Sequence, residues 1–61
     1  MKWSEILKIA KAHGFVFERH GGKHDIYRNP QTGQEIQIER HGSKEVGTGL
    51  ANKLMKQIKG K

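Results

Sequence analysis

The residues of this chain best suited to chemistry lie together at 20–28, His-Gly-Gly-Lys-His-Asp-Ile-Tyr-Arg. His24 carries an imidazole, the side chain that gives or takes a proton near neutral pH without a perturbed pKa. It follows the adjacent glycines Gly21 and Gly22, which allow either a positive φ or a close approach of backbone to another group. Lys23 precedes it, and Arg19 and Arg28 flank it in sequence. A histidine presented at a glycine turn among cations suits proton transfer on a phosphate backbone. The competing reading of the same residues is a basic β-hairpin with a solvated histidine, and the rest of the chain has to decide between them.

The other polar candidates are weaker. His13 falls at the end of a helical stretch, where a cation is favoured by the helix dipole. His20 and His24 are separated by the Gly-Gly pair, so they do not share a helix face as zinc-binding pairs do. With no cysteine in the chain and no third ligand in register, no metal site is expected. His41 follows the third strand and can approach either histidine-bearing turn. Gly47-Thr48-Gly49 is too short for a phosphate-binding loop.

These residues must be positioned by a small fold. Sixty-one residues make one domain, 1–61, with a core sensitive to single losses. Twelve Lys and Arg against six Asp and Glu give a net charge of +6, which favours nucleic acid or an acidic protein as partner. No apolar run reaches the length of a membrane span and none resembles a signal peptide, so a soluble, cytoplasmic protein is expected.

Trp3, Ile6, Leu7 and Ala10 follow helical spacing, which predicts a helix over 3–13 with Ser4 as N-cap, Glu5 in the first turn and Gly14 as the stop. Residues 15–19, Phe-Val-Phe-Glu-Arg, read as a strand. A second strand follows the glycine turn, from about 23 to 28. Asn29-Pro30-Gln31-Thr32-Gly33 is turn chemistry throughout. Residues 34–40 alternate, with Ile36 and Ile38 on one face and Glu35, Gln37 and Glu39 on the other. A last helix is expected from a Thr48 cap to Lys59, burying Leu50, Leu54 and Ile58 with Ala51 and Met55 beside them. Lys53, Lys56 and Lys59 lie off that stripe. Lys53 and Lys56 are candidates for RNA contact, a merely solubilising face being the alternative. The stretch 44–61 holds five lysines and one glutamate.

The expected fold is therefore α+β, ordered α-β-β-β-α, with both helices covering one face of a three-stranded antiparallel sheet. That topology is the one of double-stranded-RNA-binding domains.

Gly14-Phe15, Gly22-Lys23-His24 with Tyr27, His41, Lys44-Glu45-Val46, Gly49 and Lys56-Gln57 occur in an order and at spacings that resemble the HicA toxins. These are small mRNA interferases of bacterial and archaeal toxin–antitoxin pairs, and the resemblance spans nearly the whole chain. Two positions depart from the family pattern: Lys23 stands where Ser or Asn is usual, and Leu50 where Thr is frequent. The resemblance implies a metal-independent ribonuclease without cofactor, in which His24 acts as general base or acid. Lys23, Arg19 or Arg28 would stabilise phosphoryl charge, and His20, Lys23, His41 or water would complete the second proton transfer. It also implies a HicB-type antitoxin that covers the site and carries the DNA-binding part, so no sequence-specific DNA readout is expected of this chain. The rival readings are a non-catalytic RNA-binding module of the same fold and a purely protein-binding partner of an acidic subunit.

Overall fold

A computed structural model describes residues 1–60; Lys61, counted above within the domain and its basic carboxy-terminal stretch, lies outside the described residues. The chain runs α1 (Trp3–Ala12), β1 (Val16–His20), β2 (His24–Arg28), β3 (Glu35–Glu39) and α2 (Thr48–Lys59). The strands form one antiparallel sheet in the order β1-β2-β3. The expected α-β-β-β-α order and open three-stranded sheet are thus present.

Trp3, Ile6 and Ala10 of α1, Ala51, Leu54 and Ile58 of α2, and Tyr27, Ile36 and Ile38 of the sheet meet in one buried cluster, joined by Phe15 and Val46. Phe15 and Ile6 are its largest fully buried side chains. Each contributes on the order of 1.5–3 kcal/mol through removal of apolar surface from water. Trp3, 7% exposed, is a core residue rather than a base-stacking platform.

Three local expectations are corrected. Ser4 is not the cap of α1, since Lys2 occupies that position in extended backbone and its N–H donates to Glu5 Oε1 at 2.8 Å. The next donors find distant carbonyls: Trp3 N–H bonds Lys44 O at 3.1 Å and Ser4 N–H bonds Gly42 O at 3.0 Å. The loop after β3 thus satisfies the open end of α1, a task the Ser4 hydroxyl would otherwise serve. Thr48 is the first residue of α2 rather than its cap; Gly47 precedes it and accepts from Ala51 N–H at 2.8 Å. Leu50 is 47% exposed. The buried stripe runs through Ala51, Leu54 and Ile58, and Leu50 falls on its flank.

Gly14 ends α1 with φ +96°, and Gly33 closes the β2–β3 turn with φ +77°. Between them sits Asn29, the one buried polar residue among those described. Its Nδ2 donates to His13 O at 3.1 Å and its Oδ1 accepts from Gln31 N–H at 2.9 Å. One amide therefore joins the end of α1 to the turn that follows β2. Among the described residues, no helix is long and apolar enough to cross a membrane.

Candidate active site

The bend before β2 is held by contact rather than by unusual backbone. Neither Gly21 nor Gly22 has a positive φ, so the glycine pair is not used for a left-handed turn. Gly21 N–H donates to His24 O at 2.7 Å, and a Cβ on Gly21 would stand 3.0 Å from that same oxygen. Close approach is the property this position needs. Gly22 has open space around it.

His24 pairs across β3 with Glu39, and their side chains approach with Nε2 to Oε2 at 3.6 Å. That separation exceeds a hydrogen bond, so the carboxylate lies beside the ring without locking it. By strand alternation His24 shares a face with Ile26 and Arg28, and with Glu35, Gln37 and Glu39 of β3. His24 opens onto a groove of about 420 Å³ between β3 and α2. Trp3, Ile36 and Leu54 supply apolar walls; Gln37 of β3 and Gln57 of α2 supply amides; Leu50 and Lys53 line the helix side. The exposure of Leu50 is thereby explained by position, since it borders this groove instead of the core.

A second hollow, of about 430 Å³, lies beside the bend and is lined by Gly22, Lys23, Glu39, Arg40, His41 and Lys44. Glu39 borders both spaces. Of the expected partners of His24, the structure therefore gathers Lys23 and His41 next door. His20 is held elsewhere: it pairs with Asp25 across the β1–β2 register, which puts it on the sheet face opposite His24. Its Nδ1 lies 2.8 Å from Asp25 Oδ1, and its ring lies 5.0 Å from that of Phe17.

Asp25 and Arg40 were not among the candidates read from the sequence. Arg40 Nε donates to Asp25 Oδ1 at 2.9 Å and its Nη2 donates to Gly21 O at 2.9 Å. The hydrogen bond from His20 and then that from Arg40 hold the Asp25 carboxyl below the usual aspartate value, against a smaller opposing effect of desolvation. Asp25, Arg40 and Gly21 thus clamp the bend that delivers His24. The signal for this cluster was the hairpin register, which sets position 20 opposite 25 once the pairing is known.

Arg19 and Arg28 lie on the open face but are braced by acids. Arg19 Nη1 contacts Glu18, and lies 3.6 Å from Glu35 Oε2. Arg28 lies 3.9 Å from Glu18 and 3.8 Å from Glu35. Both guanidiniums are thus engaged by Glu18 and Glu35, and exposed pairs of this kind contribute little stability. Lys53 stands on the groove with His24, whereas Lys56 is exposed on α2 and does not line it. Among the described residues, no group of three or more His, Asp or Glu side chains is placed to hold a metal ion. What the groove offers chemically is an accessible imidazole beside a carboxylate, one lysine opposite, and a cationic hollow adjoining.

Comparison with known proteins adds to this geometry. The sequence matches, over residues 3–59, the family described as HicA toxin of bacterial toxin–antitoxin. It is 34% identical over 58 residues to a protein of Pseudomonas fluorescens (strain Pf0-1) named probable mRNA interferase HicA, an alignment covering 95% of this chain and 93% of that one. No solved structure matches.

Proposed function

The chain belongs to the HicA toxin family, and on that premise we propose that it is the ribonuclease toxin of a toxin–antitoxin pair, cleaving mRNA through His24 without a metal ion. The observation that carries this reading is the placement of His24 at the mouth of the groove between β3 and α2, on a clamped bend and beside cations. In the reaction, the ribose 2′-oxygen forms a bond to the adjacent phosphorus as the bond from phosphorus to the 5′-oxygen breaks. The 2′-hydroxyl proton passes to a base, and the leaving oxygen takes a proton from an acid. His24 performs one of these transfers, a contribution typically of ~10²- to 10⁴-fold. Lys53, on the same groove, supports charge developing on the phosphoryl oxygens.

The second transfer needs another group. Lys23 and His41 border the hollow that adjoins His24 across Glu39, which favours them, or water, over His20, which faces the other way and is engaged by Asp25. The arginines Arg19 and Arg28 and the exposed Lys56 serve as peripheral RNA contacts. The natural inhibitor is a HicB-type antitoxin that covers the groove with an acidic surface, and charge complementarity speeds its association with so basic a chain. Sequence-specific DNA readout is left to that partner. The site of action is the cytoplasm, where mRNA is found.

Incubation of the purified protein with a long single-stranded RNA in excess EDTA tests this, beside a His24→Ala variant matched for fold by circular dichroism. Cleavage by the wild type alone is expected. Cleavage by both proteins would remove His24 from the mechanism. Salt-sensitive binding without cleavage by either would leave a non-catalytic RNA-binding module of the same fold.

A further inference from the structure

We propose that the hollow between the 21–23 bend and the loop after β3 is a subsite for a backbone phosphate of single-stranded RNA, distinct from the phosphodiester presented to His24. The proposal rests on the ribonuclease reading given above.

Four of its six lining residues, Lys23, Arg40, His41 and Lys44, are cationic or can become so, against one carboxylate. That carboxylate, Glu39, borders both spaces, and its Oε2 is the atom 3.6 Å from His24. The sixth residue, Gly22, presents no side chain, and nothing stands within 4 Å of the position a Cβ would take. An anion can therefore approach the backbone there.

The cations are of two kinds. Arg40 is fixed, its guanidinium already held by Asp25 and by the Gly21 carbonyl. Lys23 and Lys44 take part in no ion pair among the described residues. They contrast with Arg19 and Arg28, whose charges are committed to Glu18 and Glu35. The loop that carries Lys44 is itself pinned: Lys44 N–H bonds His41 O at 3.0 Å, while the carbonyls of Gly42 and Lys44 cap α1. The hollow is thus a pre-shaped basin with two uncommitted ammonium groups, which act on phosphate as point charges.

Its position sets its role. The groove with His24 and the hollow with Lys44 meet at Glu39 and lie on either side of it. A strand that passes from one to the other sets one phosphate at the imidazole and another in the basin. Lys44 then acts on RNA affinity and on the register in which the strand is offered, and Lys23 shares in that binding.

The test measures RNA affinity in the cleavage-deficient His24→Ala background, using a single-stranded oligoribonucleotide over a series of salt concentrations. Loss of one phosphate contact lowers the magnitude of the log–log slope by about 0.7 for single strands. Lys44→Gln is expected to show that loss, Lys44→Arg to restore it, and Lys8→Gln, on an exposed position of α1, to change the slope less. Adding Lys23→Gln to Lys44→Gln should remove a second increment. An unchanged slope in Lys44→Gln, or an equal loss in Lys8→Gln, overturns the subsite while leaving the ribonuclease reading intact. If the parent shows no salt-dependent RNA binding, the ribonuclease reading fails first and the subsite with it. If Lys44→Gln weakens binding of a polyglutamate probe but not of RNA, the basin belongs to an acidic protein and the proposal is overturned.

Discussion

Replacing Asn29 by Ala removes the amide that ties the end of α1 to the turn after β2. Asn29 is 5% exposed, donates to the His13 carbonyl at 3.1 Å and accepts from Gln31 N–H at 2.9 Å. Two hydrogen bonds are lost, each worth about 0.5–1.5 kcal/mol net. The combined loss is expected to be roughly 1–3 kcal/mol. A domain of this length has a total stability of about 3–9 kcal/mol, from ~0.05–0.15 kcal/mol per residue. The substitution therefore removes a large part of it. At about 4–8 °C per kcal/mol for so small a domain, the Tm should fall by at least ~4 °C. Thermal unfolding followed by circular dichroism measures this, with Asn52→Ala, on the exposed side of α2, as the reference. An Asn29→Ala protein that melts with the Asn52→Ala reference would refute the reasoning, because the join between the end of α1 and the turn would then not depend on this amide. Cleavage should fall as well, measured below the lowered Tm, since Asn29 directly follows the strand that carries His24.

Gly21→Ala and Gly22→Ala should part company: the first sets a Cβ 3.0 Å from His24 O and the second meets open space. Gly21→Ala is expected to cost on the order of 1 kcal/mol and to reduce cleavage, with Gly22→Ala within about 0.5 kcal/mol of wild type; equal urea midpoints for the two would contradict the close-approach account. Asp25, with its folded-state pKa depressed below the ordinary 3.8, contributes stability that is present above that value and is lost as pH falls through the lowered one. Asp25→Asn should therefore flatten the loss of stability on acidification in that window, measured by urea unfolding at a series of acidic pH values. Parallel acid limbs for the two proteins would show that the contacts with His20 and Arg40 do not supply it.

The elements whose order could be read in advance are those fixed by local pattern. Trp3, Ile6 and Ala10 recur at helical spacing and are buried; Ile36 and Ile38 alternate with Glu35, Gln37 and Glu39 and face the core. Gly14 and Gly33 sit where positive φ is required. What escaped depends on partners distant in sequence. Ser4 fits the composition of a cap, but carbonyls of Gly42 and Lys44 reach the helix end first. Leu50 is apolar and in register with Leu54, yet the helix is rotated so that Ala51 takes the inner position. The clamp of Asp25, Arg40 and Gly21 requires the register of three strands to be known together, and no single stretch encodes that. His24 stands out by type and by its glycine context, whereas the placement of His20 on the opposite face follows only from the strand pairing.

The capping of α1 by the loop after β3 has a consequence for the order in which the molecule is made. The helix α1, made before the sheet, draws the partners of Trp3 and Ser4 N–H from Lys44 and Gly42, and its apolar face is covered by residues of α2. Local contacts form early and non-local ones late, so α1 stays frayed at its start until the second half of the chain has been translated. The groove at His24 is built from β3 and α2, both of which follow His24 in the chain. A growing chain thus carries His24 before it carries the walls of this groove, and the groove takes shape only once α2 has been made.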